Sequence, residues 1–125
     1  MTVFEAVGGE AFFVDLVERF YVLVESDNIL RPMYPPDLEP GKRHLALFLS
    51  QYFGGPATYS QERGHPRLRA RHMPFPIGKA ERDAWLSHML ASLGQFELPQ
   101  PVHQAMADYF EDAATFMINQ AEQPQ

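Results

Sequence analysis

The sequence between residues 10 and 25 is EAFFVDLVERFYVLVE, and it decides the fold class. Its apolar positions are Phe13, Leu16, Val17, Phe20, Tyr21 and Val24. They recur at intervals of three and four residues, which places them along one face of a helix. The polar cluster at 26–28 follows and gives the helix its end. This stretch therefore predicts an amphipathic α-helix over residues 10–25.

The segments on either side of this helix predict short elements. Thr2 is followed three residues later by Glu5, the spacing of a capping box, so a short helix is expected to begin there and to stop at Gly8-Gly9. After the long helix, residues 29–34 could add one helical turn. The prolines at 32, 35 and 36 remove backbone donors and restrict the preceding residues, so this region is predicted to be mostly a bend.

Three further helices are predicted from the same periodicity. The first covers residues 39–53 and ends at Gly54-Gly55-Pro56, and the others cover 79–93 and 100–119. Residues 56–75 have few periodic apolar positions and predict a long ordered loop with one turn of helix near its end. No stretch alternates with a period of two. The sequence therefore predicts an all-α fold.

Composition limits the classes of function. At 125 residues and 46% hydrophobic content, the chain predicts one domain over residues 1–125. Its formal charge of −6 argues against binding nucleic acid or an anionic membrane. The lack of cysteine excludes disulfides, thiolate metal sites and iron–sulfur clusters. No apolar run approaches the roughly 20 residues that span a bilayer, and the N-terminus does not resemble a signal peptide. A cytoplasmic protein is expected.

Positive charge is concentrated in the predicted loop. Four arginines lie at 63, 67, 69 and 71, and after Glu62 the next acidic residue is Glu81. Such a segment is either a solvated basic loop or an anion site, because guanidinium groups pair well with carboxylates and phosphates.

His72 ends this basic segment and precedes Met73-Pro74-Phe75-Pro76. The chain has no HExxH pattern, and the pair His65 and His72 has no obvious carboxylate neighbour to complete a zinc site. One imidazole is enough when a porphyrin supplies four nitrogens, and haem propionates need nearby cations. The alternative is a loop histidine with no ligand role.

Three hydrogen-bonding aromatic residues also allow two interpretations. Tyr21, Tyr34 and Trp85 are either core residues that carry a polar atom or donors to a bound ligand. Gly-x-Ser-x-Gly elbows and glycine-rich phosphate loops are absent from the sequence, so serine hydrolase and nucleotide chemistry are set aside.

Six segments of the chain together resemble the truncated haemoglobins of the second group. They are Phe4–Gly9 (FEAVGG), Arg19–Tyr21 (RFY), Leu30–Pro35 (LRPMYP), Gln51–Pro56 (QYFGGP), Arg63–His72 (RGHPRLRARH) and Glu81–Leu86 (ERDAWL). The resemblance covers essentially the whole chain. It implies a two-over-two helical sandwich with a long ordered loop before the proximal histidine.

The resemblance also implies a site for haem b, iron protoporphyrin IX. His72 matches the proximal iron ligand, and Tyr21, Tyr34 and Trp85 match the polar positions that face the bound ligand. Gly41 falls at a distal position usually held by a small residue. The other expected haem contacts are Leu45, Phe48 and Leu49 from the helix over the haem, Leu68, Met73 and Phe75 on the proximal side, and Arg69, Arg71 and His44 beside the propionates.

The function that the resemblance implies is binding of O2, and also of CO or NO, at a five-coordinate iron. Hydrogen bonds from Tyr21, Tyr34 and Trp85 are expected to slow ligand release. The alternative is a haem redox enzyme that oxidises NO with O2 or uses peroxide and needs an electron-donor reductase as partner. A helical interaction module without haem is the third possibility.

Overall fold

Helices form almost all of the regular structure in this chain. A computed structural model describes residues 1–121. The helices are α1 (Val3–Ala6), α2 (Glu10–Glu25), α3 (Glu39–Tyr52), α4 (Thr58–Arg63), α5 (Leu68–His72), α6 (Lys79–Leu93) and α7 (Gln100–Phe116), with a 3₁₀ turn at Arg31–Met33. No strand occurs within residues 1–121. The prediction of an all-α fold is confirmed.

Local sequence signals account for the start of the chain. The Thr2 hydroxyl accepts a hydrogen bond from the Glu5 N–H at 3.1 Å, and the Glu5 carboxylate accepts one from the Thr2 N–H at 3.1 Å. This is the capping box that the spacing predicts. Helices α2 and α6 have the predicted bounds, because a clear apolar stripe or a good pair of end signals defines each one.

The predicted loop before His72 holds more helix than expected. Helix α4 was not predicted, and between it and α5 only residues 64–67 are non-helical. At two other places the helices are shorter than predicted, since α3 ends at Tyr52 and α7 ends at Phe116. After α7 the backbone leaves the helix and pairs with Ile77.

The described residues group into two compact units, which are treated in turn. The first unit comprises Met1–Val22 and Pro35–Pro66. Its packing centres on Phe13, which stacks against Phe4 at 6.1 Å and against Phe53 at 5.8 Å between ring centroids. Burial of the Phe13 and Phe53 rings contributes about 1.5–3 kcal/mol each to folding. The prediction of a single domain over residues 1–125 stays a prediction.

Gly54 and Gly55 close the core of this first unit. Gly54 has a φ of +106°, which favours glycine, and a Cβ atom there would lie 2.6 Å from the Thr2 side chain. At Gly55 a Cβ atom would lie 2.6 Å from the Phe4 ring and 2.7 Å from the Ser50 carbonyl oxygen. Only residues without a side chain therefore let the end of α3 approach α1 so closely.

The second unit comprises Leu23–Tyr34 and the chain from Arg67 onward. Helices α6 and α7 pack against each other, and Trp85 meets Phe110 edge-on with 6.1 Å between their ring centroids. Arg82 donates from Nε to the Thr115 hydroxyl at 3.1 Å across the same helix pair. The fully buried side chains of the pair are Met89, Ser92, Leu93, Met106 and Phe110.

The longest helix within residues 1–121 has 17 residues. None of the helices in this range combines the length and the apolar character that crossing a bilayer requires.

Candidate functional site

His72 is the last residue of α5, and its imidazole has a defined orientation. Its Nδ1 atom lies 2.6 Å from the carbonyl oxygen of Leu68, one helical turn earlier. A carbonyl oxygen only accepts, so Nδ1 carries the proton and donates it. The neutral ring then has its lone pair on Nε2. The half-buried His72 thus presents Nε2 as a ligand for a metal or an acceptor for a donor.

The sequence around His72 explains why this helix is so short. Arg67 precedes it in the left-handed region at a φ of 45°, directly after Pro66, so the helix cannot extend backwards. After His72 the prolines at 74 and 76 prevent further helix. The Phe75 N–H donates to the His72 carbonyl at 3.0 Å and closes a turn. His72 is therefore fixed between two local chain reversals.

Two of the predicted ligand-facing aromatic residues belong to the same unit as His72. Trp85 lies on α6, is half-buried and packs edge-on against Phe110. Tyr34 follows the 3₁₀ turn, is half-buried, and has its carbonyl held at 3.2 Å by Nη1 of Arg31. The 3₁₀ turn over Arg31–Met33 thus fixes the backbone position of Tyr34.

Tyr21 belongs to the first unit and is buried, with 5% of its surface exposed. Burial raises the pKa of its phenol to about 12, because the anionic form would lose its hydration. Its ring packs at a right angle to Phe20 at 5.5 Å, and a Cβ atom on Gly41 would lie 2.8 Å from its hydroxyl oxygen. The glycine at 41 therefore provides the space in which this hydroxyl sits.

The predicted haem contacts of α3 share one face of that helix. Leu45, Phe48 and Leu49 follow at intervals of three and four residues; the latter two are buried and Leu45 is half-buried. Phe48 meets the ring of Tyr59 on α4 edge-on at 5.5 Å. This contact fixes the direction of the Phe48 ring.

His44 lies one position before this face and pairs with a residue of α4. Its Nε2 atom accepts a hydrogen bond from Nη1 of Arg63 at 3.1 Å, since an arginine can only donate. The Arg63 guanidinium lies 5.9 Å from the centre of the Tyr59 ring. His44 and Arg63 thus form one basic group at the junction of α3 and α4.

The remaining predicted haem contacts surround His72 in sequence. Leu68 supplies the carbonyl that holds the His72 ring. Arg69 directs its guanidinium to the C-terminal end of α7, donating to Phe116 O and Ile118 O at 3.1 Å each. Met73 and Phe75 are 53% and 41% exposed, and Arg71 is also exposed. The structure therefore brings Leu68 against His72 and Arg69 against α7.

The sequence analysis missed a histidine–aspartate pair formed by His88 and Asp27. Nε2 of His88, on α6, lies 2.5 Å from Oδ2 of Asp27. The other oxygen of this carboxylate, Oδ1, accepts hydrogen bonds from the Ile29 and Leu30 N–H groups. The hydrogen bond from His88, with help from these two N–H groups, lowers the pKa of the Asp27 carboxyl. No sequence signal joins positions 61 residues apart.

Sequence reasoning also missed Asn119. Its side chain donates to Phe75 O at 2.9 Å and to His72 O at 3.3 Å, and it accepts from the Ile77 N–H at 3.0 Å. Its one sequence signal is a polar side chain at the end of the apolar stripe of α7. Within residues 1–121, no three His, Asp or Glu side chains are grouped to hold a metal ion.

Comparison with known proteins gives a consistent result. A family model described as bacterial-like globin matches residues 2–119. The chain is 42% identical over 119 residues to group 2 truncated hemoglobin YjbI of Bacillus subtilis, with coverage of 95% of this chain and 89% of that protein.

Two solved structures share both fold and sequence with this chain. The hemoglobin of Chloroflexus aurantiacus superposes with a TM-score of 0.94 at 57% identity, covering 96% of this chain and 99% of that one. The group II truncated hemoglobin of Bacillus anthracis gives a TM-score of 0.94 at 38% identity, covering 98% and 95%. Membership in this family implies binding of haem and, through it, of small diatomic ligands such as O2. The chain therefore belongs to the bacterial-like globin family, among the truncated haemoglobins of the second group.

Proposed function

We propose that this globin binds haem b through His72 and holds O2 with slow release, using hydrogen bonds from Tyr21, Tyr34 and Trp85. The observation that carries the proposal is the hydrogen bond from His72 Nδ1 to Leu68 O at 2.6 Å. It fixes the tautomer and the direction of the His72 ring, as partners of metal-bound histidines do.

The residues near His72 fit a haem iron in their chemistry. The donor set consists of one neutral imidazole, which suits iron when a porphyrin supplies the remaining ligands. Haem supplies an open coordination position for a diatomic ligand when the protein provides one axial histidine. Within the described residues His72 makes no other side-chain hydrogen bond, so Nε2 has no competing partner there.

Tyr21 and Trp85, two of the three proposed donors, each keep a proton to donate. Because the pKa of Tyr21 is raised to about 12, its hydroxyl keeps its proton throughout the physiological range. The indole N–H of Trp85 only donates. A donor to a partly charged acceptor contributes about 1.5–3 kcal/mol, which corresponds to roughly ten- to a hundredfold slower release.

The apolar and cationic contacts of haem complete the proposal. The apolar contacts offer an apolar surface to the macrocycle. The cationic contacts offer positive charge or a hydrogen-bond donor to the propionate carboxylates. The apolar contacts are Leu45, Phe48, Leu49, Leu68, Met73 and Phe75, and the propionate contacts are Arg69, Arg71 and His44. Redox catalysis with a reductase partner, and a cytoplasmic location, stay predictions from the sequence.

The test is a titration of the purified protein with hemin, followed by reduction and addition of CO. We expect one haem per chain, a strong Soret band and a CO complex. The His72→Ala variant should lose or greatly weaken haem retention, while the matched His65→Ala variant should keep it.

Two outcomes would contradict the proposal. A wild-type protein that takes up no hemin would overturn haem binding as a whole. A His72→Ala variant that retains haem with an unchanged spectrum would move the iron ligand elsewhere, and His65 would then be examined first.

A further inference from the structure

The residues that follow α7 make hydrogen bonds to the segment that follows His72. The backbone N–H groups of Asn119 and Gln120 both donate to Ile77 O, at 2.8 and 3.1 Å. In return the Ile77 N–H donates to Oδ1 of Asn119 at 3.0 Å. Both backbone groups of Ile77 are therefore satisfied by the chain that leaves α7.

The side chain of Asn119 extends this contact towards His72. Its Nδ2 atom donates to Phe75 O at 2.9 Å and to His72 O at 3.3 Å. An asparagine amide offers two donors and one carbonyl acceptor, and here all of them are used. Neither aspartate nor leucine could make the same set of hydrogen bonds.

Arg69 forms a second connection, on the other side of His72 in sequence. Its Nε and Nη2 atoms donate to Phe116 O and Ile118 O at 3.1 Å each, and its guanidinium lies 5.9 Å from the centre of the Phe116 ring. The last carbonyls of a helix lack intrahelical partners and carry partial negative charge, so a guanidinium is favoured there. Arg69 thus attaches α5 to the end of α7.

We infer that Asn119 and Arg69 are positioning residues for the iron ligand. Arg69 holds the chain three residues before His72, and Asn119 holds it at His72 and at two points after it. Together they tie the segment from 68 to 77 to the C-terminal end of α7 and thereby fix the direction of Nε2. The inference rests on the proposed function, because it takes His72 as the ligand.

The physical reason is preorganisation. A ligand whose backbone is held before binding loses little freedom when the bond forms, and its bond direction is narrowly defined. If the attachment to α7 is removed, α5 retains only its own turn, and the imidazole samples a wider range of directions. The iron–histidine bond should then become weaker and more heterogeneous.

The experiment compares the wild type with Asn119→Leu, which removes the donors and the acceptor at similar size. The control is Gln104→Leu, because Gln104 is an exposed amide on α7 that donates to Asp108 at 2.7 Å, away from this attachment. Hydrogen exchange of the Ile77 amide is measured in the haem-loaded protein. The iron–histidine stretching band and the rate of haem loss are measured in the haem-loaded protein.

For Asn119→Leu we expect exchange at Ile77 at least tenfold faster, a shifted or broadened iron–histidine band, and haem loss about three- to tenfold faster, the effect of about one net hydrogen bond. Gln104→Leu should match the wild type in all three. Asn119→Asp keeps the acceptor for Ile77 but loses both donors. It should therefore alter the iron–histidine band but accelerate exchange of the Ile77 amide less than Asn119→Leu does. If the leucine variant fails to fold, the aspartate variant takes its place in the test.

The inference fails if exchange at Ile77 rises while the iron–histidine band and the haem loss rate match the wild type, since the attachment would then be structural only. Unchanged exchange in Asn119→Leu would also overturn it. Failure of the proposed function is distinguishable, because His72→Ala would then keep the same iron–histidine band.

Discussion

The hydroxyl oxygen of Tyr21 lies 2.8 Å from the point that a Cβ atom on Gly41 would occupy. A side chain at position 41 must therefore displace this hydroxyl or be displaced by it. Tyr21 is buried and packed against Phe20, so its ring has little room to move. The residue at 41 thus controls the position of a proposed ligand donor.

This contact predicts that the effect of Gly41→Ala changes sign with the residue at 21. In the wild type the added methyl group should lower the free energy of unfolding by about 1–3 kcal/mol through overpacking. In the Tyr21→Phe background the nearest remaining atom is an ordinary contact at 3.7 Å. The better helix propensity of alanine should then raise stability by up to about 1 kcal/mol.

Urea unfolding of the wild type, the two single variants and the double variant measures the effect of Gly41→Ala in both backgrounds. Equal effects of Gly41→Ala in both backgrounds would mean that the Tyr21 hydroxyl does not occupy the space above Gly41.

The raised pKa of Tyr21 predicts a loss of stability in alkali. Unfolded tyrosine ionises near pH 10, whereas folded Tyr21 keeps its proton until about pH 12. Between these values the folded state binds more protons, so the free energy of unfolding falls as the pH rises. Ionisation of Tyr21 alone should lower the free energy of unfolding by about 2–3 kcal/mol over this pH range.

Unfolding free energies at pH 9, 10 and 11 test this prediction. Tyr21→Phe should show a smaller decline than the wild type. Tyr52→Phe is the control, because Tyr52 is 54% exposed, and it should decline like the wild type. If Tyr21→Phe and Tyr52→Phe decline equally, burial of Tyr21 is not the cause.

The helices that sequence alone could predict are those whose apolar residues are periodic and whose ends carry local signals. Helix α2 has both, and its predicted and observed bounds agree. Helix α4, TYSQER, buries only Tyr59 and shows no apolar period. It is held from outside its own sequence by two hydrogen bonds between Gln51 and Ser60, one donated by the Gln51 amide and one by the Ser60 N–H, and by the ion pair of Arg43 with Glu62. Such partners are invisible to periodicity.

The part of the candidate site that sequence alone could propose is the part whose chemistry is local to one residue. His72 stood out as an imidazole beside a rigid apolar segment, and its hydrogen-bond partner Leu68 lies one turn away. The partners of Arg69 were not predictable, because charge indicates a site for negative charge without distinguishing a carboxylate from the carbonyl end of a helix. That helix end lies 47 residues further along the chain.

The pair of His88 and Asp27 predicts acid sensitivity of the second unit. The pKa of Asp27 is lowered chiefly by the hydrogen bond from His88, so its carboxylate contributes stability above its ordinary pKa near 4. This contribution is lost as the pH falls below 4 and the folded carboxylate becomes protonated. The Asp27→Asn variant should therefore be less stable than the wild type at pH 6, and the difference should shrink towards pH 2.

Thermal unfolding between pH 2 and 6 gives the comparison. His88→Asn removes the other partner and should reduce the same pH-dependent difference. The two substitutions should be non-additive because they disrupt one interaction. Additive effects would assign the pH dependence to other carboxylates.

The Trp85→Phe variant tests the proposed donors. It keeps an aromatic ring and deletes the indole N–H. The O2 dissociation rate should rise by roughly tenfold or more, the effect of one charge-assisted hydrogen bond. The CO dissociation rate should change less, because CO draws less electron density than O2 when bound. Stopped-flow measurement of both rates on the reduced protein provides the data.

Packing must be separated from hydrogen bonding in this experiment, because the Trp85 ring contacts Phe110 at 6.1 Å between centroids and phenylalanine leaves part of that space empty. Thermal stability and haem content are therefore measured on the same samples. Tyr21→Phe and Tyr34→Phe are the matched comparisons, since each removes one hydroxyl and keeps its ring. Their effects on the O2 rate should be non-additive with that of Trp85→Phe if the three donors act on one ligand. An O2 rate unchanged in Trp85→Phe, with folding and haem content intact, would make Trp85 a packing residue and leave slow release to the two tyrosines.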